Sequence, residues 1–469
     1  MTELLIHSLP LLTVFLTAIV VLLIGSWFPK KHEVVLVTAI VGLLISIWFA
    51  WIGWCAGGAV FGGFFLEYSK FTLISIIVMT ISAGLVAISS LNYFTERSLK
   101  FNEFITLVLF VLFGGSVMVA GTSLIVIFIG LEILSLAAYV QAGMNKQDAA
   151  SSEASLKYFT MGAVASAVLL FGIALYYGST AAFDILNPVI LNERLFLVAY
   201  ALIIAGFGFK VALFPFHWWV PDVYQGAPLP VASQFAILVK IAAFVVFYKV
   251  VRLLSNVSGV ELTNFFTWTA VITMSIANLA ALFQEDVKRM LAYSSIAHAG
   301  YILIAFVFIK SDPTAASSSM LFYLISYMVM TAGAFAVLIQ LSGSEEKTSL
   351  REISGLGRTN PWLAFAMSLF LISLAGFPPT SGFFAKFYLF KSALVNGHVA
   401  LVIIAVMNSL ISIYYYMRPV VALYFGNSSE DVAKVSDIRY SIAGVIIFCL
   451  ISVILLGLIP STILAIISG

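Results

Sequence analysis

Long apolar runs alternate with short polar connectors along almost the whole chain. A helix that crosses a bilayer needs about 20 apolar residues, because the hydrocarbon core is about 30 Å thick and a helix rises roughly 1.5 Å per residue. The pattern therefore predicts an all-α polytopic membrane protein with about 14 transmembrane helices. The predicted spans are 4–25, 33–54, 71–91, 104–120, 122–141, 156–177, 195–214, 230–253, 262–283, 291–310, 318–341, 361–396, 399–424 and 440–466.

Two of the predicted spans meet helix breakers. The twelfth, 361–396, is too long for one straight helix and contains GFPPTSG, so we expect two half-helices joined by a break. The seventh, 195–214, runs into Pro215 and a Pro/Gly-rich loop. A lysine accompanies each break, Lys210 in the seventh span and Lys386 in the twelfth.

The paired breaks predict an internal repeat of five helices, spans 4–8 and spans 9–13. Because five is odd, the two copies must be inverted, an arrangement typical of ion translocators. The polar connectors at 343–360 and 424–440 are too short to form a catalytic domain. We expect one membrane domain, 1–469, composed of three N-terminal helices (1–100), a first repeat (101–255), a second repeat (256–425) and a C-terminal helix (426–469).

The composition agrees with a lipid environment. Of the 469 residues, 62% are hydrophobic and 9% are charged, whereas soluble domains carry about 25% charged residues. The formal net charge of +2 indicates no affinity for nucleic acid. The first run lacks a basic start and is followed at once by a second, so we interpret it as a membrane helix and not as a cleaved signal.

Basic residues are distributed unevenly between the connectors, and this predicts an orientation. Connectors after odd-numbered spans contain thirteen Lys and Arg, and those after even-numbered spans contain five. By the positive-inside rule, the odd connectors face the cytoplasm and both termini face the periplasmic side of a bacterial inner membrane. The thirteen are Lys30, Lys31, Arg97, Lys100, Lys146, Lys288, Arg289, Lys347, Arg351, Arg358, Arg418, Lys434 and Arg439; the five are Lys70, Arg194, Lys249, Arg252 and Lys310.

The sequence contains no recognisable site for a cofactor or a metal. Cys55 and Cys449 lie far apart in apolar surroundings, so we interpret them as inert buried thiols. The five histidines form no metal-ligand pattern, and no glycine-rich nucleotide loop is present. We therefore expect no redox cofactor on this chain and a driving force supplied by partner proteins.

Five lysines lie inside the predicted spans: Lys157, Lys210, Lys240, Lys386 and Lys391. Removing a lysine from water at the centre of a span costs about 2.5–3.5 kcal/mol on insertion scales, which indicates a role for the charge. Lys240 lies too deep to reach water easily, and Lys386 follows a helix break. We predict that both carry protons, because burial disfavours the charged form of a lysine. Lys157 and Lys391 lie near span ends, where side chains can extend to the interface.

Glu132 is the only acidic residue well inside a predicted span, and a carboxylate in lipid needs a partner or a proton. Lys210 is the preferred partner and Lys157 the second. Two interpretations are open: a structural ion pair between two helices, or a pair that controls the proton affinity of a neighbouring lysine.

His298 lies inside the tenth span, and two interpretations are open for it as well. It is either a packing residue or a bridge in a water chain between Lys240 and Lys386. The hydroxyls that could line the same path are Ser294, Ser295, Tyr323 and Tyr327. The loop residues expected to anchor the membrane interface are His217, Trp218 and Trp219.

Five stretches of the chain together resemble one protein family. They are LEILSLAAYV, EASLKYF, FKVALFPFHWWVPDVYQGAPLPV, QEDVKRMLAYSSIAHAGY and AGFPPTSGFFAKFYLF. These stretches are similar to the antiporter-like membrane subunits of complex I, the proton-pumping NADH:quinone oxidoreductase. Within that family, DVYQGAP resembles the subunit N branch. The resemblance spans almost the whole chain and agrees with the predicted number of helices.

The resemblance implies roles for particular residues and partners. It implies that quinone reduction is coupled to proton translocation, and that FMN and iron–sulfur clusters lie on partner subunits. The partners would be the other membrane-arm and peripheral-arm subunits and the lipid bilayer, with the quinone used by the complex but not bound here. The implied proton relay consists of Glu132, Lys210, Lys240, Lys386, Lys157 and His298.

Other functions fit parts of the same pattern. Subunits of multi-component cation/proton antiporters and of membrane-bound hydrogenases share this type of fold, although DVYQGAP argues against both. A stand-alone secondary transporter would place several substrate-coordinating polar groups in its broken helices, and neither break has them. A purely structural subunit would tolerate neutral substitution of its buried lysines.

Overall fold

The computed structural model shows a chain that is almost entirely helical. It describes residues 2–61, 65–186, 188–258, 261–342, 346, 348–426 and 439–468. One π-helical turn is present, at Phe235–Val239. The helices are α1 (Thr2–Trp27), α2 (His32–Cys55), α3 (Lys70–Glu96), α4 (Phe101–Ala120), α5 (Leu124–Ala142), α6 (Ala149–Thr180), α7 (Glu193–Val211), α8 (Trp219–Gly226), α9 (Leu229–Gln234), α10 (Lys240–Ser258), α11 (Thr263–Ala281), α12 (Val287–Ile302), α13 (Ile304–Val307), α14 (Pro313–Leu341), α15 (Leu356–Thr359), α16 (Pro361–Ala375), α17 (Ser381–Val395), α18 (Val399–Phe425), α19 (Tyr440–Leu458) and α20 (Pro460–Ser468).

The predicted all-α class is confirmed. Within the described residues, 11 helical segments are long and apolar enough to cross a membrane, and they coincide with eleven of the predicted spans. The predicted eighth span is divided by the π-helical turn, and the twelfth is divided into α16 and α17, of 15 residues each. The total of about fourteen spans, the inverted repeat and the domain limits remain predictions.

Both predicted helix breaks are present. The helix α7 ends at Val211, where Ala212 adopts the left-handed conformation (φ 63°), and α8 begins only at Trp219. The helix α16 ends at Ala375 and is followed by Gly376 (φ 93°), a conformation that favours glycine, and α17 begins at Ser381. Because proline has no N–H to donate, the prolines between these ends prevent the helices from continuing.

Burial differs strongly between the centre and the edge of the helical bundle. In the most apolar stretches of α14 and of the α12–α13 segment, 94% of residues are buried inside the protein, compared with 28% in α1. The exposed apolar side chains of α1 and α2 therefore lie on the outer surface of the bundle, whereas α14 and α12 pack against other helices. Polar side chains on these two central helices must find partners within the protein.

Several smaller expectations need correction. Cys449 is buried, but Cys55 is exposed, because it lies in the last turn of α2 at the edge of the bundle. An antiparallel hairpin of β1 (Ala59–Phe61) and β2 (Leu66–Tyr68) follows α2 and was not predicted. Of the basic residues used to predict orientation, Lys347 and Lys434 lie outside the described residues, as do parts of the connectors 343–360 and 424–440.

Candidate functional site

Lys240 lies at the junction of the π-helical turn and α10 and is 3% exposed. Its ammonium group donates hydrogen bonds to the backbone carbonyl and to the hydroxyl of Ser295 on α12. The same ammonium lies 5.8 Å from the centre of the Tyr327 ring on α14. All the partners that hold this buried lysine are therefore neutral.

His298 lies one turn beyond Ser295 on α12 and is buried. Its Nδ1 lies 2.7 Å from the Tyr323 hydroxyl, and its Nε2 lies 3.2 Å from the Tyr416 hydroxyl. The imidazole ring is also 4.9 Å from the Tyr327 ring, between centres. A neutral imidazole donates through one nitrogen and accepts through the other, so His298 connects two hydroxyls in opposite directions.

Lys386 projects from α17 back across the second helix break and is 5% exposed. Its Nζ donates to the Ala375 carbonyl and to the Ser409 hydroxyl, both at 2.8 Å. That carbonyl is available because α16 ends at Ala375, and the last carbonyls of a helix lack partners within it. A Cβ added at Gly376 would lie 3.1 Å from the Cδ of Lys386, so the glycine leaves room for the lysine.

Tyr301 links His298 to Lys386, and sequence reasoning missed it. Its ring centre lies 5.9 Å from the His298 ring and 5.1 Å from the Lys386 ammonium. Asn278 donates to the Tyr301 hydroxyl at 3.1 Å and also to Asn408 at 3.1 Å. A signal was available, because an asparagine within the apolar ninth span is itself unusual.

Buried polar and aromatic side chains therefore occupy the space between Lys240 and Lys386, and His298 is among them. Both interpretations of His298 stay open, and the path remains a prediction. Each of the four predicted hydroxyl residues is buried as well. These are Ser294, which contacts the Tyr416 hydroxyl, Ser295, Tyr323 and Tyr327.

Lys210 lies in the last turn of α7, just before the first break, and is 5% exposed. Its Nζ donates to the Tyr139 hydroxyl at 3.1 Å. The ammonium is also close to three aromatic rings, at 5.1 Å from Tyr139, 5.5 Å from Tyr158 and 5.6 Å from Phe209. Aromatic faces attract a desolvated cation, so this cage partly replaces water around the ammonium.

Glu132 does not form the direct ion pair with Lys210 that the sequence suggested. Its carboxylate accepts a hydrogen bond from Ser166 on α6 at 2.5 Å, and its side chain is partly exposed. Within the described part of the chain, no basic group lies within 4.0 Å of this carboxylate. Glu132 nevertheless lies on α5 together with Tyr139, whose hydroxyl accepts the hydrogen bond from Lys210.

Lys157 belongs to a different group. It forms ion pairs with Glu153 at 2.7 Å and Asp222 at 2.8 Å, and its side chain is 41% exposed. Arg289 pairs with the other carboxylate oxygen of Asp222 at 3.0 Å. Burial raises the pKa of Asp222, but the hydrogen bonds from Lys157 and Arg289 outweigh burial, so the net pKa is lowered. Lys157 is thus a member of a half-exposed ion-pair network and not of the buried path.

One side of Lys210 is apolar. The side chains there pack without room for a water molecule; they are Met118, Leu131, Leu134, Phe207, Val239 and Ala243. Gln141 and Gln234 form a separate buried amide pair, with reciprocal hydrogen bonds of 3.2 and 2.8 Å. Buried tyrosines also lie between Lys210 and Lys240. The Lys210 ammonium contacts Tyr139 and Tyr158, and Tyr224, close to Tyr158, interacts with the Ser295 hydroxyl that holds Lys240.

Two buried ion pairs were also missed. Lys249 on α10 pairs with Glu67 of the hairpin at 2.9 Å, and Lys288 on α12 pairs with Glu346 at 2.6 Å. Both lysines had been assigned to connectors, yet their side chains are 7% and 2% exposed. No local pattern indicated these pairs, because the partners are far apart in sequence and each acid lies in a polar connector.

The remaining expected residues have simple positions. Lys391 is exposed, which agrees with an interfacial lysine. Trp218 is exposed and fits an interfacial anchor, whereas His217 and Trp219 are buried and do not. Among the described residues, no group of three or more His, Cys, Asp or Glu could hold a metal ion.

The sequence of the chain is similar to known proteins. Residues 121–412 match the family described as NADH:quinone oxidoreductase/Mrp antiporter, TM. The NADH-quinone oxidoreductase subunit N of Bdellovibrio bacteriovorus is 38% identical over 373 residues, which are 78% of this chain and 76% of that relative.

Two solved structures are similar to the whole fold. A chain of respiratory complex I from Thermus thermophilus has a TM-score of 0.82 and 30% identity, with 98% of this chain and 100% of that chain covered. A chain of the Mrp complex from a Dietzia species has a TM-score of 0.86 and 19% identity, with 99% and 96% covered. The second likeness concerns the fold alone.

Proposed function

The chain belongs to the family of membrane subunits that NADH:quinone oxidoreductases share with Mrp antiporters, and we propose that it translocates protons through a buried relay of side chains. It is a membrane-arm subunit of an NADH-quinone oxidoreductase and a multi-pass protein of the inner membrane. The proposed relay consists of Glu132, Lys210, Lys240, His298 and Lys386. Lys157, also implied by the family resemblance, is proposed to stabilise the ion-pair network at one end of the relay.

The observation that carries this proposal is the group of buried polar side chains from Lys240 to Lys386. His298 lies between the two lysines and contacts hydroxyls through both ring nitrogens. Tyr327 lies next to both Lys240 and His298, and Tyr301 lies next to both His298 and Lys386. The hydrogen bonds of His298 are within the range of direct proton transfer, and the tyrosine rings bring the two lysines close to the same group of side chains.

The chemistry available to this path is proton exchange and nothing more. Each lysine is held by neutral acceptors, so the loss of its proton leaves no unpaired carboxylate beside it. His298 can accept a proton at one nitrogen and release one from the other. A proton that arrives at Lys240 can thus reach Lys386 by successive transfers through His298 and the surrounding hydroxyls.

The energy for transport is proposed to come from partner subunits. The chain would assemble with the other membrane-arm and peripheral-arm subunits, which would carry FMN and iron–sulfur clusters and use the quinone. The uneven distribution of Lys and Arg supports an orientation with both termini on the periplasmic side.

The test is proton pumping by the assembled complex in vesicles. We expect Lys240→Ala and Lys386→Ala each to reduce quinone-coupled pumping by about tenfold or more, because each removes a proton carrier. Lys391→Ala is the matched control, since Lys391 is exposed on the same helix as Lys386, and it should pump normally. Wild-type pumping by either buried-lysine variant, with normal assembly, would exclude the relay.

A further inference from the structure

A polar cavity of about 750 Å³ lies where several membrane helices end, apart from the proposed relay. It borders the end of α3, the start of α4 and the connector between α5 and α6. Because four long membrane helices end or begin at this level, the cavity lies at the boundary between membrane and water. Its volume falls within the range of ligand pockets, about 300–1,000 Å³.

Arg97 provides the unusual feature of this cavity. Its guanidinium carbon lies 3.9 Å from the centre of the Tyr93 ring, which holds the planar group in place. Both terminal nitrogens of this guanidinium are buried, and neither has a hydrogen-bond partner in the described part of the chain. Buried arginine nitrogens without partners are rare and costly, so a ligand that accepts hydrogen bonds from them would relieve that cost.

The neighbouring acidic groups do not satisfy Arg97. Glu346 at the cavity wall is engaged by Lys288 at 2.6 Å, by the backbone N–H of Leu229 at 3.0 Å and by the Tyr93 hydroxyl. Asp148 on the rim accepts from the backbone N–H of Ala150, which caps α6. Among the described residues that border the cavity, Arg97 is thus a charged side chain whose terminal nitrogens have no hydrogen-bond partner.

Further groups on the rim favour an anion larger than a single atom. Lys146 adds an exposed positive charge, and the Asn145 and Gln147 side chains add hydrogen-bond donors. Lys100 also borders the cavity but pairs with Glu103 at 3.5 Å. A guanidinium presents a planar fork of N–H donors, which matches two oxygens of a phosphate group.

We propose that this cavity binds a phosphate group through the free nitrogens of Arg97, with Lys146 as a second cationic contact. The phosphate is either the headgroup of a phospholipid or a free phosphate compound. The ends of membrane-spanning helices lie near the lipid headgroups, and a volume of about 750 Å³ is large enough for a headgroup. The inference does not rest on the proton relay, because none of the relay residues borders the cavity.

The test uses the purified complex, delipidated in detergent, with two probes. Radiolabelled inorganic phosphate is measured by equilibrium dialysis, and retained phosphatidylglycerol is counted by native mass spectrometry after incubation with phosphatidylglycerol micelles. Arg97→Gln should weaken binding of the responsive probe by about tenfold or more, and Arg97→Lys should weaken it less, because lysine keeps the charge but loses the fork. Lys31→Gln removes an exposed charge outside the cavity and is the matched control.

The outcomes separate the two sources. Saturable phosphate binding that depends on Arg97, without a change in lipid, identifies a free phosphate compound. Loss of one retained phosphatidylglycerol in Arg97→Gln, without phosphate binding, identifies a headgroup. Equal binding of both probes by wild type and Arg97→Gln overturns the proposal. Poorer assembly of Arg97→Gln with unchanged probe binding also overturns it, because Arg97 would then pair with a carboxylate of a neighbouring subunit. If Arg97→Gln fails to assemble, both probes are measured on Lys146→Gln and on the wild type instead. Binding of neither probe by the wild type overturns the proposal.

Discussion

Two groups of buried lysines in this protein have different surroundings. Lys249 and Lys288 each lie within 3 Å of a carboxylate, that of Glu67 at 2.9 Å and that of Glu346 at 2.6 Å. The second group, consisting of Lys210, Lys240 and Lys386, is equally buried. Within the described residues, its ammonium groups contact hydroxyls, carbonyls and aromatic rings but no carboxylate.

The difference separates fixed charges from exchangeable ones. An ammonium beside a carboxylate keeps its proton, because its loss would leave a buried negative charge without compensation. An ammonium held by neutral acceptors has no opposite charge nearby to offset the free-energy cost of its burial. Its charged and neutral forms are therefore closer in free energy. Burial of a lysine is therefore insufficient to identify a proton carrier; the absence of a counterion is the more informative feature.

We expect the largest effect from removing a counterion. Glu346→Gln leaves the Lys288 ammonium buried without its carboxylate, which should destabilise the subunit by about 3 kcal/mol. The thermal stability of the purified complex measures this. The matched control is Glu103→Gln, which breaks the exposed pair with Lys100 and should cost less than about 1 kcal/mol. Equal stabilities of the two variants would show that Lys288 does not need its counterion.

The same pair predicts sensitivity to acid. Burial raises the pKa of Glu346, but the Lys288 ammonium and the hydrogen bonds to the carboxylate outweigh burial, so the net pKa lies below its ordinary value of 4.5. A lowered pKa contributes stability that is fully present above the unfolded value and is lost as pH falls through the folded value. We therefore expect the wild type to be more stable than Glu346→Gln above about pH 4.5 and to lose this difference only as the pH falls below that value. A constant difference between the two proteins down to lower pH would contradict this.

A new counterion should convert an exchangeable lysine into a fixed one. Ser409→Asp places a carboxylate where the Ser409 hydroxyl now accepts from Lys386 at 2.8 Å. We expect proton pumping to fall by about tenfold, because a paired ammonium releases its proton less readily. Ser409→Asn has nearly the same size without the charge and should retain most of the activity. If both variants pump equally well, the distinction between paired and unpaired lysines does not control transport.

Glu132 tests the same distinction at longer range. Because it lies on α5 with Tyr139 but does not contact Lys210 directly, its charge should modulate pumping rather than determine it. We expect Glu132→Gln to reduce pumping by about threefold and Glu132→Asp to reduce it less, since only the aspartate keeps the charge. Quinone-coupled proton uptake in vesicles measures the difference. Identical, wild-type rates in both variants would make Glu132 structural.

The smallest effect is expected at Lys157. This lysine has two carboxylate partners and is 41% exposed, so it belongs with the fixed charges and is also screened by water. Lys157→Gln should change proton pumping by less than about twofold. A loss as large as that of Lys240→Ala would return Lys157 to the relay, where the family resemblance places it.

The buried residues between Lys240 and Lys386 could be recognised in the sequence more readily than a partner for Glu132. A lysine deep in a span, a lysine after a Pro-Pro break and a histidine in a third apolar helix are each recognisable without a structure, because each violates the apolar pattern. The partner of Glu132 could not be recognised in this way. Whether two groups on different helices touch depends on helix rotation, which the apolar pattern of α5 leaves undetermined.

The sequence by itself determined the membrane class, the helical architecture, the two helix breaks and the positions of the costly charges. These follow from local properties: the length of an apolar run, the missing N–H of proline and the cost of a charge in lipid. Only the tertiary structure decided which charges are neutralised. Glu346 reaches Lys288 from a connector 58 residues away, whereas no carboxylate reaches Lys386 among the described residues. The physical reason is that the free energy of a buried charge depends on the groups within a few ångströms, and helix packing brings those groups together from distant parts of the chain.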